Sequence, residues 1–280
     1  MRGLGIPLAL LLAALALPAQ DPRQFEKNVQ AQEKPADRGK RVVSEALRAL
    51  GGDAFLRMKD RVETGRAYSF YRSEITGLDV AKIYTRYASQ GQPAAAGKLR
   101  VSEREAFGKK EDAAVLFTPD GAWDVGFRGA RPLADQRYAN FQDSTRRSFF
   151  YILHERMNEP GLTLLSEGAD MFENRPVEIV SIADADNQTV TVYFSQSEKL
   201  PVRQVFRRRN PQFKDFDTET TVFANYRDVG GGVKWPFSIR RERNGDKIFE
   251  MFSESVEINK NLPDNLFTLP GNVKMLPKLD

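Results

Sequence analysis

Hydrophobic and polar residues alternate with a period of two over most of the chain after residue 61. The alternation predicts strands at about 62–75, 79–89, 98–107, 113–118, 175–183, 188–195, 201–208, 218–228, 233–243 and 247–258. Turn-forming runs separate them, among them GQPAAAG at 91–97, DADN at 184–187 and NGD at 244–246. Strands that follow one another at short intervals with tight turns predict an antiparallel meander.

A helical period precedes the strands. Val43, Ala46, Leu47 and Leu50 stand at i, i+3, i+4 and i+7, and Gly51-Gly52 follows them. This spacing predicts an amphipathic helix with a glycine stop.

A second helical period interrupts the strands in DSTRRSFFYILHERMNEPG, residues 143–161. Asp143 or Ser144 is expected to cap this helix, and Pro160-Gly161 to end it. Its apolar stripe consists of Phe149, Ile152, Leu153 and Met157. Such a stripe needs an apolar surface to pack on, and a long twisted sheet curls into one. We therefore expect an α+β, mainly β fold: a strongly curved antiparallel sheet, an unclosed half-barrel, with helices against its concave face.

The stretch YRDVGGGVKWPFSI, residues 226–239, contains three consecutive glycines. A phosphate-binding loop would need a helix directly after the glycines. Here Val233, Trp235, Phe237 and Ile239 alternate with polar residues or proline instead, as in a strand. The glycines are therefore expected to form a hairpin turn, with these four side chains on one side of the second strand.

The N-terminal residues 1–20 have the layout of a signal peptide: Arg2, an apolar run through Leu17, and the small-residue end Pro18-Ala19-Gln20. The mature chain is expected to begin near Gln20 or Asp21. We assign 21–40 to a polar lead segment, 41–270 to the half-barrel domain and 271–280 to a C-terminal tail. The chain has no cysteine, so neither a disulfide nor a lipid-anchor cysteine is available. The expected location is periplasmic or secreted.

The charge balance is mild, with 42 Lys and Arg against 38 Asp and Glu, and a formal net charge of +4. Basic residues are interspersed with acids, so the composition does not favour nucleic acid as a partner. One basic cluster, Arg207-Arg208-Arg209, fits either a solvated strand end or a contact with an anionic headgroup, and its role stays open.

No motif for catalysis or metal binding is present. His154 is the only histidine, without a cysteine, a G-x-S-x-G elbow or zinc-ligand spacing to accompany it. Asp184, Asp186 and Asn187 fit a turn better than a cation loop. We expect no catalytic residue, metal or cofactor. A glycosidase-like carboxylate pair is defined in space and not in sequence, so a hydrolase without a readable motif remains the third hypothesis.

Aromatic residues are abundant, with 19 Phe, 8 Tyr and 2 Trp. Most are expected in the core, but the space between a helix and a curved sheet is also a common place for an apolar ligand. The candidate lining residues, chosen by strand parity and helix face alone, are Phe149, Ile152, Leu153, Trp235, Phe237, Tyr68 and Phe70.

The order of these elements resembles a known family. The helix ending ALGG, the inserted helix, KLPVRQVF (199–206), YRDVGGGVKWPFSI and INKNLPDNLFTLP (258–270) look like the LolA-like lipoprotein-carrier superfamily, and more narrowly like the secreted bacterial outer membrane lipoprotein-sorting proteins. The resemblance covers about residues 40–270 and includes no catalytic signature.

The resemblance implies an unclosed β-barrel with a helical lid, whose apolar interior holds acyl chains. The leading hypothesis is thus a periplasmic, non-enzymatic carrier or sensor of a lipid, of lipoprotein acyl chains or of another apolar ligand. Its partners would be a lipid or an acylated lipoprotein, with a membrane-bound donor or acceptor as a further candidate. The alternative is a secreted structural or interaction module with a packed interior. A continuous apolar cavity would favour the carrier, a filled interior the module, and a carboxylate pair in a cleft the hydrolase.

Overall fold

A computed structural model describes residues 33–88, 98–210 and 212–278. The predicted signal peptide and most of the predicted lead segment lie outside these residues. Within them, thirteen strands form a single antiparallel sheet. Their bounds are β1 Asp60–Tyr71, β2 Glu74–Tyr87, β3 Val101–Phe107, β4 Ala113–Thr118, β5 Gly121–Gly126, β6 Gly129–Pro132, β7 Thr163–Phe172, β8 Arg175–Ala183, β9 Thr189–Ser195, β10 Pro201–Arg209, β11 Phe216–Asp228, β12 Lys234–Arg243 and β13 Asp246–Ile258.

The strand order is β6-β5-β4-β3-β2-β1-β13-β12-β11-β10-β9-β8-β7. The sheet therefore consists of two meanders, β1–β6 and β7–β13, which are joined by the pairing of β1 with β13. The two outer strands, β6 and β7, do not pair with each other within the described residues, so the sheet is not closed. The expected fold class, mainly β with an unclosed antiparallel sheet, is confirmed.

The sheet curves around its helices. In a flat sheet β3 and β12, which have three strands between them, would lie about 19 Å apart. Yet residues of both strands line the same cleft, together with residues of the helices. The helices consequently occupy the concave side.

The helical segments are α1 Pro35–Leu50, α2 Asp53–Leu56, α3 Asp135–Arg146 and α4 Phe149–Tyr151, which continues as a π-helical turn over Ile152–Arg156. A 3-10 turn covers Asp264–Leu266. Helix α1 ends before the two predicted stop glycines, both of which have positive φ. It begins at Pro35, however, inside the segment expected to be a polar lead. Gly39 allows this extra turn to touch the sheet, since a Cβ there would lie 2.6 Å from the carbonyl oxygen of Leu164.

The single helix predicted over 143–161 is wrong at its start. Asp143 and Ser144 are not caps but belong to the last turn of α3. The chain is extended at Ser148, and α4 begins at Phe149, whose N–H donates a hydrogen bond to Oε1 of Gln204 at 3.0 Å. Only the second helical segment carries the predicted apolar stripe.

Three strands were not predicted: β5, β6 and β7. Strand β5 is GAWDVG, with a glycine at each end, and β6 has only four residues. Strand β7, TLLSEGADMF, is interrupted by a register shift at Gly168, where φ is +99°. Short length and internal glycine hide the alternation in these segments. Residues of the C-terminal segment lie against β6, where Ala130 bridges Met275.

The glycine-rich stretch forms the hairpin turn that its sequence predicts. Gly230, Gly231 and Gly232 all have positive φ, between 63° and 110°. The Val229 N–H donates a hydrogen bond to the Val233 carbonyl oxygen at 2.8 Å and closes the turn. The two strands that the turn connects, β11 and β12, pair with each other.

The main hydrophobic core lies between the sheet and helices α1 and α4. Its members come from α1, α2 and α4 and from strands β7 to β13. Helix α1 contributes Val42, Val43, Ala46 and Leu50, and α4 with its π-turn contributes Phe149, Phe150, Ile152 and Leu153. The interior of this part of the half-barrel is filled by protein side chains.

Candidate functional site

Five of the seven candidate lining residues come together in the core. Phe149, Ile152, Leu153, Trp235 and Phe237 are all buried and belong to one cluster. Val233, Trp235 and Phe237 belong to this cluster and Ile239 packs against it, so the expected common orientation of these four side chains is confirmed.

The space between these residues is occupied. Phe150, which was not predicted, lies 4.7 Å from Trp235 and 5.1 Å from Phe223 between ring centroids. Phe149 meets Phe194 edge to face at 5.0 Å. Phe149, Ile152, Leu153 and Phe237 therefore lie in the packed core, with protein side chains where an acyl chain was expected. Trp235 belongs to the same core and also lines the cleft described below.

The other two candidates, Tyr68 and Phe70, lie apart from this core. The buried parity of β1 consists of Arg61, Glu63, Gly65 and Ala67. Tyr68 has the opposite parity and meets Phe252, whose side chain is 44% exposed, while Phe70 lies under the ammonium of Lys247. In β1 the large apolar side chains Tyr68 and Phe70 lie on the outward-facing side of the strand, because charged residues, Arg61 and Glu63, occupy two of the inward-facing positions. A rule that places apolar side chains inside therefore selects the wrong side of this strand.

An open cleft lies beside the core, with a volume of about 380 Å³. We call it the inner cleft. Its walls come from strands of both meanders, from α3 and from α4. Its lining includes Arg61, Thr85, Tyr87, Glu103, Glu105, Phe117, Arg137, Asn140, Phe141, Phe150, Phe206, Arg208, Glu219, Phe223, Trp235, Ile239, Arg241 and Arg243.

One side of the inner cleft is aromatic. Phe117 of β4 and Phe141 of α3 stack with their ring centroids 3.8 Å apart and an angle of 6° between the planes. Phe150, Phe206 and Trp235 add further aromatic surface. This side can pack against an apolar group.

The most buried charged residue of the cleft lining is Arg61, which is only 7% exposed. Its Nη2 donates to Oγ1 of Thr85 at 2.9 Å, and that hydroxyl donates to Oε2 of Glu103 at 3.1 Å. Its guanidinium lies 3.9 Å from the centre of the Trp235 ring. The Arg61 Nε has no hydrogen-bond acceptor within the described residues.

Glu63 compensates the charge of Arg61. The carboxylate lies 3.7 Å from the Arg61 Nε and is itself buried. It accepts a hydrogen bond from the Ser253 hydroxyl, and another from the Trp235 Nε1 at 3.3 Å. Arg61 and Glu63 therefore form a buried ion pair that links β1 to β12 and β13.

Glu103 and Glu105 share one face of β3 and both line the cleft. Burial raises the pKa of Glu103, against the opposing charges of Arg61 and Arg241. Burial and the charge of Glu103 raise the pKa of Glu105 to about 7. The two carboxyls thus hold a proton more strongly than exposed glutamates do.

Most other arginines of the cleft have acidic partners. Arg137 pairs with Asp124, Arg208 with Asp143 and Arg243 with Glu219, at distances of 3.3, 3.0 and 2.9 Å. In the basic cluster, Arg208 is thus an ion-paired group of the cleft wall, whereas Arg207 and Arg209 are exposed.

A second hollow of about 230 Å³ adjoins the inner cleft, because both are lined by Asn140, Arg208, Glu219 and Arg243. Arg209 also lines it.

His154 is a structural residue. Its Nε2 lies 2.8 Å from the Met58 carbonyl oxygen and its Nδ1 lies 2.7 Å from Oε1 of Glu155. Its ring stacks on Tyr87 with the centroids 4.0 Å apart, and burial raises the pKa of Tyr87 to about 12. Both ring nitrogens are engaged by the fold.

Asp184 also has a structural role. Its Oδ1 accepts the N–H groups of Asp186 and Gln188, as in a turn, and its Oδ2 binds Arg156 at 3.0 Å. Over residues 33–88, 98–210 and 212–278, no group of three or more acidic, histidine or cysteine side chains could hold a metal ion. None of the helices in those ranges has both the length and the apolar character needed to cross a membrane.

The substitution Glu105→Gln is expected to raise stability at pH 8 by about 1 kcal/mol and to leave it unchanged at pH 4. The folded state binds the Glu105 proton more tightly than the unfolded chain, whose value is near 4.5. The stabilisation from this protonation is therefore complete below about pH 4.5 and is lost as the pH rises through about 7. Glu105 keeps some contact with solvent in the cleft, so we expect less than the full shift would imply.

Urea denaturation at both pH values measures the effect. Glu254→Gln, at an exposed position, serves as the control. A Glu105→Gln protein that was no more stable than the wild type at pH 8 would contradict the raised pKa.

The acidic pair and the Arg61 network were not predicted as site residues. The sequence nevertheless contains a pattern for both. SEREAF places Glu103 and Glu105 on one side of a strand, and DRVETG places Arg61 and Glu63 on one side of another. Charges that alternate with other residues in a strand usually face solvent. Here both pairs face inward, and only the sheet order brings them together.

The comparisons with known proteins concern the fold. No protein-family model matches the chain, and no curated protein matches it. Among solved structures, a DUF1329 family protein from Desulfovibrio piger overlaps with a TM-score of 0.56 at 13% identity, over 84% of this chain and 98% of the other. A domain assigned to the outer membrane lipoprotein-sorting proteins, from Vibrio parahaemolyticus, overlaps with a TM-score of 0.53 at 13% identity, over 83% and 97%. The chain therefore has a LolA-like fold, as its sequence indicated.

Proposed function

We propose that this protein is a non-enzymatic carrier or sensor that binds an amphiphilic ligand, such as a lipid or the acyl part of a lipoprotein, in the inner cleft. The observation that carries the proposal is the composition of the cleft, which combines an aromatic side with a charged floor. An amphiphile has the matching pair of surfaces. The volume of about 380 Å³ falls within the usual range for small-molecule pockets, about 300–1,000 Å³.

The fold supports a carrier. The Vibrio structure with the same fold is assigned to the lipoprotein-sorting proteins. The layout of residues 1–20 supports export, so we place the protein in the periplasm or outside the cell. A lipid or an acylated lipoprotein is the proposed partner, with a membrane-bound donor or acceptor as a further one.

A second candidate function is an interaction module without a ligand. The packed core around Phe149, Phe150 and Trp235 favours it, because the space that was expected to hold an acyl chain is filled. The two candidates differ in the inner cleft: a carrier fills it with a ligand, whereas a module leaves it to solvent.

Phe141→Ala is expected to weaken the binding of a fluorescent fatty-acid probe by about tenfold or more. The ring forms one half of the stacked pair on the cleft wall, and the loss of an apolar contact surface of this size is worth about 1.5–3 kcal/mol. Phe127→Ala, at a side chain that is 88% exposed, is the matched control and should bind like the wild type. Absence of probe binding by the wild type, or equal binding by the Phe141 variant, would contradict the proposal and favour the module.

The natural ligand can be sought by native mass spectrometry of the protein purified from its own compartment, followed by lipid extraction. A co-purified lipid that is recovered intact supports the carrier. A lipid or glycoside that is consistently recovered cleaved would instead support the hydrolase hypothesis, for which Glu103 and Glu105 would be the carboxylate pair.

A further inference from the structure

Three hairpin tips at one edge of the sheet carry the same pair of residue types. Neighbouring strands are antiparallel, so β1, β3, β5, β8, β10 and β12 run in one direction, and the turns that follow them lie at one edge. We call it the tip edge. In three of its turns an aromatic residue is directly followed by a cation: Tyr71-Arg72 at the β1–β2 turn, Phe127-Arg128 at the β5–β6 turn and Phe213-Lys214 at the β10–β11 turn.

The three rings are the most exposed large hydrophobic side chains of the described residues. Phe127 is 88% exposed, Phe213 75% and Tyr71 64%. The next two, Ile75 and Leu78, belong to the same hairpin as Tyr71. Exposed apolar residues scattered singly over a surface need no explanation, but several of them on one side of a molecule mark an interaction surface.

Each tip also has a cation beside a ring. The guanidinium carbon lies 5.3 Å from the ring centre in both Tyr71-Arg72 and Phe127-Arg128. At the third tip the guanidinium of Arg207 lies 4.7 Å from the centre of the Phe216 ring. The cations of the three aromatic–cation pairs have no ion-pair partner within the described residues. Each tip therefore presents an apolar ring and an uncompensated positive charge together.

Turn geometry does not account for two of these cations. Arg72 and Lys214 have φ values of 50° and 55°, a region in which glycine or asparagine causes the least strain. A charged residue at such a position points to a role outside the turn itself.

The charges of the tip edge favour an anionic partner. The three tips and the basic cluster have only two exposed acids, Glu74 and Asp215. The other turns of this edge, 108–112, 184–188 and 244–245, contain no aromatic residue, and their two lysines balance two of their four acids. Lys82 binds the third acid, Glu111, and Arg156 binds the fourth, Asp184. The exposed cations of the tips and the basic cluster are Arg72, Arg128, Arg207, Arg209 and Lys214.

The inner cleft is continuous with the tip edge. The second hollow is lined by Arg209, Asn210 and Gln212 around the β10–β11 turn and by Arg243 at the end of β12. Because this hollow shares part of its lining with the inner cleft, it connects the cleft to the edge that carries the exposed rings.

We infer that the tip edge docks on the surface of a phospholipid bilayer that contains anionic lipids, with the three rings in the interfacial region and the cations against lipid phosphates. Aromatic rings accompanied by cations suit this interface. A protein partner would favour one apolar patch with a polar rim, whereas separate tips suit a fluid surface that surrounds each of them. The docking itself does not require a ligand. That a ligand passes between cleft and bilayer rests on the proposed function.

Co-sedimentation with protein-free vesicles tests the docking. The wild-type protein should bind vesicles of phosphatidylethanolamine and phosphatidylglycerol at least about tenfold more tightly than vesicles of phosphatidylcholine, because each cation near an anionic surface contributes about a factor of five. Absence of binding to the anionic vesicles would overturn the inference, and a membrane protein would become the better partner. Equal binding to both kinds of vesicle would overturn the role of the cations.

Variants locate the contact. The combined substitutions Tyr71→Ser, Phe127→Ser and Phe213→Ser remove only exposed rings, and they should weaken binding to the anionic vesicles about a hundredfold. Met171→Ser, at an exposed side chain next to a turn at the opposite edge, should bind like the wild type. Equal vesicle binding by the triple variant would contradict the inference.

The fatty-acid probe separates this inference from the proposed function. The triple variant should bind the probe in solution like the wild type, because its rings lie outside the inner cleft. Unchanged probe binding also shows that the variant is folded. A wild type that binds the probe but no vesicle would overturn the docking alone, and one that binds vesicles but no probe would overturn the carrier alone.

A fluorescent label reports the depth of each edge. Because the chain has no cysteine, Phe127→Cys and Glu198→Cys can each be labelled at a single site with a dye that responds to polarity. The label at position 127, at the tip edge, should shift to shorter wavelength on addition of anionic vesicles. The label at position 198, in the exposed turn between β9 and β10 at the opposite edge, should not shift. A shift at position 198 alone would overturn the orientation.

Discussion

Replacing Phe149 with alanine is expected to lower the free energy of unfolding by about 3–5 kcal/mol. The ring is completely buried in the main core and meets Phe194 edge to face at 5.0 Å. Its removal leaves a cavity enclosed by α1, the sheet and the rest of α4, and these neighbours cannot collapse into it without shifting the whole helix. Urea denaturation, with the slope checked against the wild type, measures the loss.

The matched control for this change is Phe213→Ala. The Phe213 side chain is 75% exposed, so its loss should alter stability by about 0.5 kcal/mol or less. If Phe149→Ala cost less than about 1 kcal/mol and at the same time weakened binding of the fatty-acid probe, Phe149 would line a ligand space after all. The carrier site would then have to be moved from the inner cleft to the core.

Glu63→Gln should cost about 3 kcal/mol of stability, although it changes only one atom type. Glu63 is the nearest anion to the buried guanidinium of Arg61, at 3.7 Å. The two hydrogen bonds reach different oxygens of the carboxylate, Oε1 from Ser253 and Oε2 from Trp235, so the single amide oxygen can keep only one of them. The amide also leaves the arginine charge without its partner. Glu103, which reaches Arg61 only through Thr85, provides partial compensation, so we expect the lower end of the usual range.

A double-mutant cycle separates charge from packing. In an Arg61→Met background, Glu63→Gln should cost much less than in the wild type, because no cation remains to be compensated. A cost that is the same in both backgrounds would show that Glu63 acts through its hydrogen bonds alone. Thermal or urea denaturation at pH 8 suits the measurement.

Long and regular patterns predicted the structure well. The four apolar positions of α1 and its two stop glycines located the end of that helix. The alternation around Trp235 and Phe237 predicted both the hairpin and the inward side of β12. In these segments hydrophobic burial, turn geometry and local propensity all favour the same structure.

Prediction failed where tertiary contacts outweigh local pattern. Helix α3 has no buried residue, and only Tyr138 and Phe141 pack against a core cluster, so its amphipathic signal is weak. In β1 the inner parity carries Arg61 and Glu63, which are tolerated there only because they neutralise each other. An alternation rule that assigns charges to solvent necessarily selects the wrong face, and this error placed Tyr68 and Phe70 among the lining residues.

The inner cleft could not be predicted from the sequence, because it depends on the geometry of the whole sheet. Glu103 and Arg241 are remote in the chain, and their strands have three others between them in the sheet. Only the curvature of the sheet brings them to one cleft. Neither the strand order nor the curvature follows from any local window of the sequence.

The seam between β1 and β13 has a consequence for the order in which the molecule assembles. Each meander can form from neighbouring hairpins, but the seam joins residues such as Glu63 and Ser253, which are 190 positions apart. Closing so long a loop carries a large entropic cost before any contact rewards it, so the seam should form late and slowly. A chain still emerging from a ribosome or a translocation channel lacks its last strand and cannot complete the sheet. Because the inner cleft draws on both meanders, capture of a ligand would mark the end of folding.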